Sequence, residues 1–268
     1  MNQTTTPTVT TLPTATRAGA RVLAVTSGKG GVGKTFMSAN IAASLAKRNL
    51  RVLVLDADLG LANLDVVLNL YPKITLHDVF TGKATLEEAL LSAPGGFSVL
   101  LAGSGLVEYS RLTPEVRDHL LSVIDQVTPR FDIVILDTGA GISDVVLYTI
   151  SLAAEVLVVV TPEPTSMTDA YATIKVLALQ QGRREMRLVV NQVPRVGDGR
   201  ATAAQLQQVV DRFVSPAAGG AVTLTLLGDV PSDMGVREAV KKRRLLVETL
   251  PGSPAAQAVT ALAAKLSP

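Results

Sequence analysis

The stretch Ser27–Thr35, S-G-K-G-G-V-G-K-T, constrains this chain more than any other, because it joins an aliphatic run (Val22–Val25) to a helix-length segment (Phe36–Lys47). It contains G-x-x-x-x-G-K-T as Gly28, Gly33, Lys34 and Thr35, and the strand–loop–helix setting identifies a phosphate-binding loop. Glycines let the backbone curl so that successive N–H groups face one anion. Gly28, Lys29, Gly30, Gly31, Val32 and Gly33 would supply that cradle. Phe36 begins the helix whose positive end points at the same charge. Lys34 would reach the β- and γ-phosphates, and the Thr35 hydroxyl would ligate Mg²⁺.

The rest of the chain alternates in the manner such a loop requires. Aliphatic runs at Arg21–Thr26, Val52–Asp56, Ser98–Ala102, Ile133–Asp137, Val156–Thr161, Leu188–Asn191 and Val222–Leu227 read as strands buried on both faces. Helix-length segments lie between most of them, at 36–47, 86–91, 115–127, 143–153, 168–181 and 204–213. This pattern predicts an α/β fold, a single domain over 21–268 with a mostly parallel sheet and helices on both faces. The Thr-rich residues 1–20 show no apolar period and read as a flexible tail.

Ligands of such sheets gather beyond the carboxyl ends of the strands, so the polar residues ending them are the candidates. Asp56 and Asp58 end the second run, where they would face a bound nucleotide–Mg²⁺, or else form a solvated turn. Asp137 ends a β-branched run and matches the acidic residue that holds Mg²⁺ in phosphate-loop enzymes. Gly139 and Gly141 would let the next backbone move when the γ-phosphate leaves. Asn191 ends another aliphatic run, where on its own it reads as a strand cap. His77 and His119 stand apart from any metal-like spacing.

Lys29, inside the loop, narrows the reading. The string Lys29–Thr35 resembles the deviant phosphate loop of the MinD/ParA ATPases. The resemblance implies an ATPase that binds and hydrolyses MgATP, with ATP/ADP and Mg²⁺ as cofactors and Lys29, Lys34 and Asp58 as catalytic residues. Lys29 would cross the interface of an ATP-bound homodimer, where the bland alternative is a solvated lysine. Asp58 would orient the attacking water; Thr35, Asp56 and Asp137 would serve the metal. Asn191 would meet adenine, with Pro231 and Asp233 in a second base-side loop. Guanine-specific relatives carry N-K-x-D at the former position, and here Gln192 and Pro194 replace the Lys and Asp, which favours ATP.

The stretches Asp56–Asp65, Asp137–Ser143 and Glu163–Tyr171 are similar to the FlhG/FleN branch, which limits flagellar number and placement. That similarity implies flagellar partners: FlhF, switch-ring components or a transcription activator. The alternatives are a ParA/MinD-type ATPase that positions division or DNA segregation, and a nucleotide-binding scaffold with little hydrolysis. From the residues alone, Glu163–Tyr171 is a strand-end loop capping a helix through Thr165 or Ser166.

Composition supplies the exclusions. With no cysteine, the chain cannot hold a thiolate-ligated iron–sulfur cluster as some relatives of this loop do. A net charge of +2 gives no ground for nucleic acid. No signal segment is seen, and the apolar window 142–161 carries Asp144 and Glu155, so it reads as helix then strand. A cytoplasmic protein is expected, with peripheral contact at the inner membrane through a helix at 254–266 as one option and packing of that helix on the sheet as the other. Val259, Leu262 and Leu266 are its larger apolar residues. The run Lys241–Arg244 offers charge to anionic lipid, to an acidic partner, or only to solvent.

Overall fold

The computed structural model describes residues 19–60, 62–103 and 111–267. The tail expected at 1–20 falls, except for Gly19 and Ala20, outside them. In chain order the elements are β1 (Arg21–Ser27), α1 (Lys34–Ala46), β2 (Val52–Ala57), α2 (Leu64–Leu68), α3 (Leu76–Phe80), α4 (Leu86–Ala89), β3 (Leu90–Ser92), β4 (Ser98–Leu100) and α5 (Pro114–Val127). The second half adds β5 (Ile133–Ala140), α6 (Asp144–Ser151), β6 (Glu155–Val160), α7 (Pro164–Gln180), β7 (Glu185–Val193), α8 (Asp198–Phe213), β8 (Thr223–Pro231), α9 (Met234–Lys241), α10 (Leu246–Thr249) and α11 (Pro254–Leu266).

One eight-stranded sheet runs β3-β4-β2-β5-β1-β6-β7-β8. Every pair is parallel except β3–β4 at the edge. The central strands are buried on both faces, which is why they read as unbroken aliphatic runs rather than alternating ones. Successive residues still go to opposite sides. Val22 and Ala24 of β1 join a core with α5, α6, α7 and α8, whereas Leu23 and Val25 join one with α1, α10 and α11. The single α/β domain with a mostly parallel sheet is as expected.

Three local expectations are corrected. Residues 86–91 do not form one helix: α4 stops at Ala89 and the chain turns into β3, pairing antiparallel with β4. Helix α7 begins at Pro164, with Glu163 as N-cap and no side-chain cap bond. Ser166 Oγ instead accepts the Thr161 amide at 3.0 Å.

The third concerns residues 254–266. The helix forms, but Val259, Leu262 and Leu266 are buried in the core against α1 and β8. Offering these side chains to a membrane would forfeit roughly 1.5–3 kcal/mol of burial apiece. The packed alternative describes this helix, whose larger apolar side chains meet the protein. No helix among the described residues is long and apolar enough to span a membrane.

Candidate functional site

At the carboxyl edge of the sheet, β1 passes into the loop and then α1. Gly33 is the N-cap in the left-handed region (φ 100°), and a Cβ there would come within 2.4 Å of Asn191 Nδ2. Gly28 is needed for a different reason: a Cβ would lie 2.1 Å from the Asp169 carbonyl of α7. The loop thus has the backbone that only glycine allows, both for its curl and for its packing against the neighbouring helix.

Lys34 is buried and donates to Ser27 Oγ at 3.0 Å, while Ser27 Oγ donates to the Lys29 carbonyl at 2.7 Å. Burial lowers the Lys34 pKa, and the carboxylates of Asp137 and Asp58 oppose that shift. Asp137 accepts from Ser38 Oγ at 2.9 Å and from the Thr35 hydroxyl. Burial lifts its pKa to about 6 in spite of those bonds. Asp56 lies beside it in register on β2, accepting the amides of Asp58 and Leu64 at 3.3 Å each. Burial first, and the charge of Asp137 second, raise the Asp56 pKa well above the ordinary range.

Two buried carboxylates therefore sit side by side with Lys34 as the cation acting on Asp137. Burial disfavours the charged form of both, and a divalent cation beside them would offset that cost. Thr35, Asp56 and Asp137 could offer a few hard oxygen donors, the kind of set Mg²⁺ takes when it keeps waters and phosphates. No cluster of three or more acidic, His or Cys groups able to hold a metal alone is found among the described residues.

Two cavities meet at Gly31, Gly33, Phe36 and Val240. The larger, about 940 Å³, is lined among others by Lys34, Thr35, Asp58 and Gly139. Gly139 lies so close under Asp58 that a Cβ would be 3.3 Å from Asp58 Oδ1. The second, about 610 Å³, is lined by Asn191, Gln192 and Pro231–Met234 with the α9 face. The structure therefore brings the expected phosphate-side and base-side residues to one continuous cleft. Within it, Asn191 donates through Nδ2 to the Val32 carbonyl at 2.8 Å, tying β7 to the loop.

Two residues are placed differently from what a direct contact would require. Asp233 lines the smaller cavity, yet its carboxylate accepts the amides of Gly235 at 2.7 Å and Ala255 at 3.1 Å. It fastens the start of α9 to the start of α11, and those bonds hold its pKa below the usual range. Lys29 Nζ lies 3.0 Å from Glu163 Oε2 and 2.9 Å from Thr165 Oγ1, so it pairs with α7 of its own chain. Sequence reading missed this pairing, along with Ser27, Ser38 and the α9 wall of Met234, Arg237 and Val240. Only the acid in the Glu163-Pro164-Thr165 string hinted at the first.

A family model described as an AAA domain matches residues 20–189. The Antiactivator FleN of Pseudomonas aeruginosa is 44% identical over 246 residues, covering 92% of this chain and 86% of its own. The chain belongs to the MinD/ParA family. Another of its relatives in this family, the Flagellum site-determining protein YlxH of Helicobacter pylori, is 32% identical over 92% of this chain and 81% of its own. The septum site-determining protein MinD of Pyrococcus horikoshii, complexed with Mg-ADP, superimposes with a TM-score of 0.74 at 27% identity, covering 92% of this chain and 96% of that one. As a MinD/ParA member the chain is an ATP-hydrolysing enzyme that works with Mg²⁺ and adenine nucleotide, of the kind that positions other cellular components.

Proposed function

We propose that this MinD/ParA ATPase is a dimerising switch that regulates flagellum number and placement, as its similarity to FleN and YlxH suggests. The observation that carries the switch is the posture of Lys29. A phosphate loop needs one lysine, and Lys34 fills that role, reaching Ser27 from within the loop. Lys29 is held outward by an exposed carboxylate and a hydroxyl. Surface pairs of this kind are worth about 0–1 kcal/mol, so the triphosphate of a second subunit can take Lys29 from Glu163 at little cost.

In this reading the amides of Gly30–Gly33 and the Lys34 ammonium hold the β- and γ-phosphates. Thr35 and Asp137 would hold Mg²⁺, with Asp56 beside Asp137 in support. When bound, the metal neutralises charge on the phosphate oxygens. Asp58 orients a water in line with the γ-phosphorus; its attack breaks the bond to the bridging oxygen, giving ADP, phosphate and a proton. Positioning and charge account for most of such catalysis. Adenine lies between Asn191 and Pro231, and Asp233 contributes by holding α9 in place. Paired ATP-bound subunits engage flagellar assembly proteins such as FlhF or a transcription activator until hydrolysis separates them.

Light scattering of wild type and Lys29→Ala with ADP and with ATP tests the switch. Wild type doubles in mass with ATP only, and Lys29→Ala stays single. A wild type that remains monomeric with both nucleotides ends the dimer reading. Counting flagella on cells lacking the chain tests the role, and an unchanged count ends that part.

A further inference from the structure

The cations Lys242, Arg243 and Arg244 follow α9 and take no part in the nucleotide site. With Leu68 and Asn69 at the end of α2 and Leu245 before α10, they line a separate cavity of about 470 Å³. Leu68 and Leu245 close it from beneath, Asn69 and Thr249 add polar groups to its wall, and the rim is cationic. Glu248 is the one carboxylate on that lining among the described residues. Lys242 is 3.6 Å from Glu238, a turn back on α9. Arg243 donates to the neutral Tyr71 hydroxyl at 3.3 Å, and neither it nor Arg244 has an ion pair among the described residues.

A cation near a helix C-terminus needs no special explanation, since the dipole favours it. Arg243 is different. Its φ is 53°, and its amide and that of Arg244 close the helix onto Val240 and Ala239 at 3.0 and 2.9 Å. That left-handed position is normally glycine's, and an arginine is kept there at a cost in backbone strain.

We propose that this cavity is a second anion site, taking a phosphate ester. Arg243 and Arg244 supply planar forks that match phosphate oxygens two at a time, and Asn69 and Thr249 lie on the wall beside them. The ester belongs either to a soluble metabolite or to an anionic lipid headgroup, the chemistry at the cavity being the same.

The test uses the full chain saturated with MgADP, so that the phosphate loop is filled. Wild type, Arg243→Gly and Arg244→Ala are titrated with glycerol 3-phosphate and sedimented with vesicles of phosphatidylglycerol or phosphatidylcholine. Wild type binds glycerol phosphate if the ester is soluble, or phosphatidylglycerol vesicles alone if it is a headgroup. Either binding falls at least tenfold in both variants, and phosphatidylcholine vesicles do not bind. Arg243→Gly keeps or raises the melting temperature while losing the anion, a combination that a purely structural arginine would not give. The proposal is overturned if neither probe binds wild type, if both variants bind as wild type does, or if phosphatidylcholine vesicles bind as well as phosphatidylglycerol ones. ADP affinity is measured alongside, so that a failed nucleotide site is told apart from a failed anion site.

Discussion

The two ends of the nucleotide cleft are built on different terms. On the phosphate side the polar groups are buried and already bonded within the chain: Lys34 to Ser27, Ser38 to Asp137, and Thr138 to the Val25 carbonyl at 3.1 Å. On the base side Asn191 and Asp233 are also bonded within the chain, but the wall beside them is open and apolar. Met234 is 69% and Val240 47% exposed, and Gln192 reaches the Gly31 carbonyl at only 3.5 Å. The contrast separates chemistry, which gains from groups fixed before substrate arrives, from recognition, which tolerates a surface completed by its ligand.

If this contrast is right, changes on the phosphate side cost far more than changes around it. The largest effect is expected from Asp58→Ala, which should lower ATP turnover by roughly 10²–10⁴-fold while leaving ATP binding intact. Unchanged turnover would move the catalytic water to another residue. Next comes Lys34→Ala, which removes charge-assisted bonds worth about 1.5–3 kcal/mol each, or roughly 10- to 150-fold in nucleotide affinity per bond lost. Equilibrium binding of a labelled ATP analogue checks it, and wild-type affinity would refute the loop assignment.

Asp233→Ala probes the scaffold behind the base side. Losing a cap costs about 0.5–2 kcal/mol, read as a lower urea midpoint at pH 7. Because the folded Asp233 has a depressed pKa, led by its bond from the Ala255 amide, its contribution is present above the unfolded value of about 3.9 and fades as pH falls below it. The gap between wild type and variant should therefore close in acid. The smallest effect is expected from Glu163→Ala. Freeing one Lys29 in each subunit from an exposed pair worth about 0.2–1 kcal/mol should strengthen ATP-dependent dimerisation by roughly 2- to 30-fold, measured by sedimentation. A loss of dimer would mean that Glu163 also serves the interface.

The phosphate side was legible in the sequence because its signals are local. Loop glycines, Lys34 and Thr35 are contiguous, and Asp56 and Asp137 end runs that can only be buried strands. What stayed hidden depended on distance or brevity. Lys29 and Glu163 are separated by 134 positions, and no local pattern joins them. Helices α2 and α3 have five residues each and β3 has three, too few to show a period. The stripe on α11 was readable, but an apolar face looks the same whether lipid or α1 covers it. Asp233 was found by its position, but its bonds to the Gly235 and Ala255 amides were not legible, since a carboxylate beside a base cavity and one capping two helices have the same letter.

Arg21 opens β1, whose far end is the phosphate loop, and its guanidinium both pairs with Glu155 and donates to the Leu266 carbonyl at 2.7 Å. Glu155 also pairs with Arg187 of β7. The close of α11 is in this way clamped to the strand that delivers the catalytic loop. Clipping that helix by a single turn would unfasten the clamp and leave the start of β1 held by the sheet and Glu155 alone.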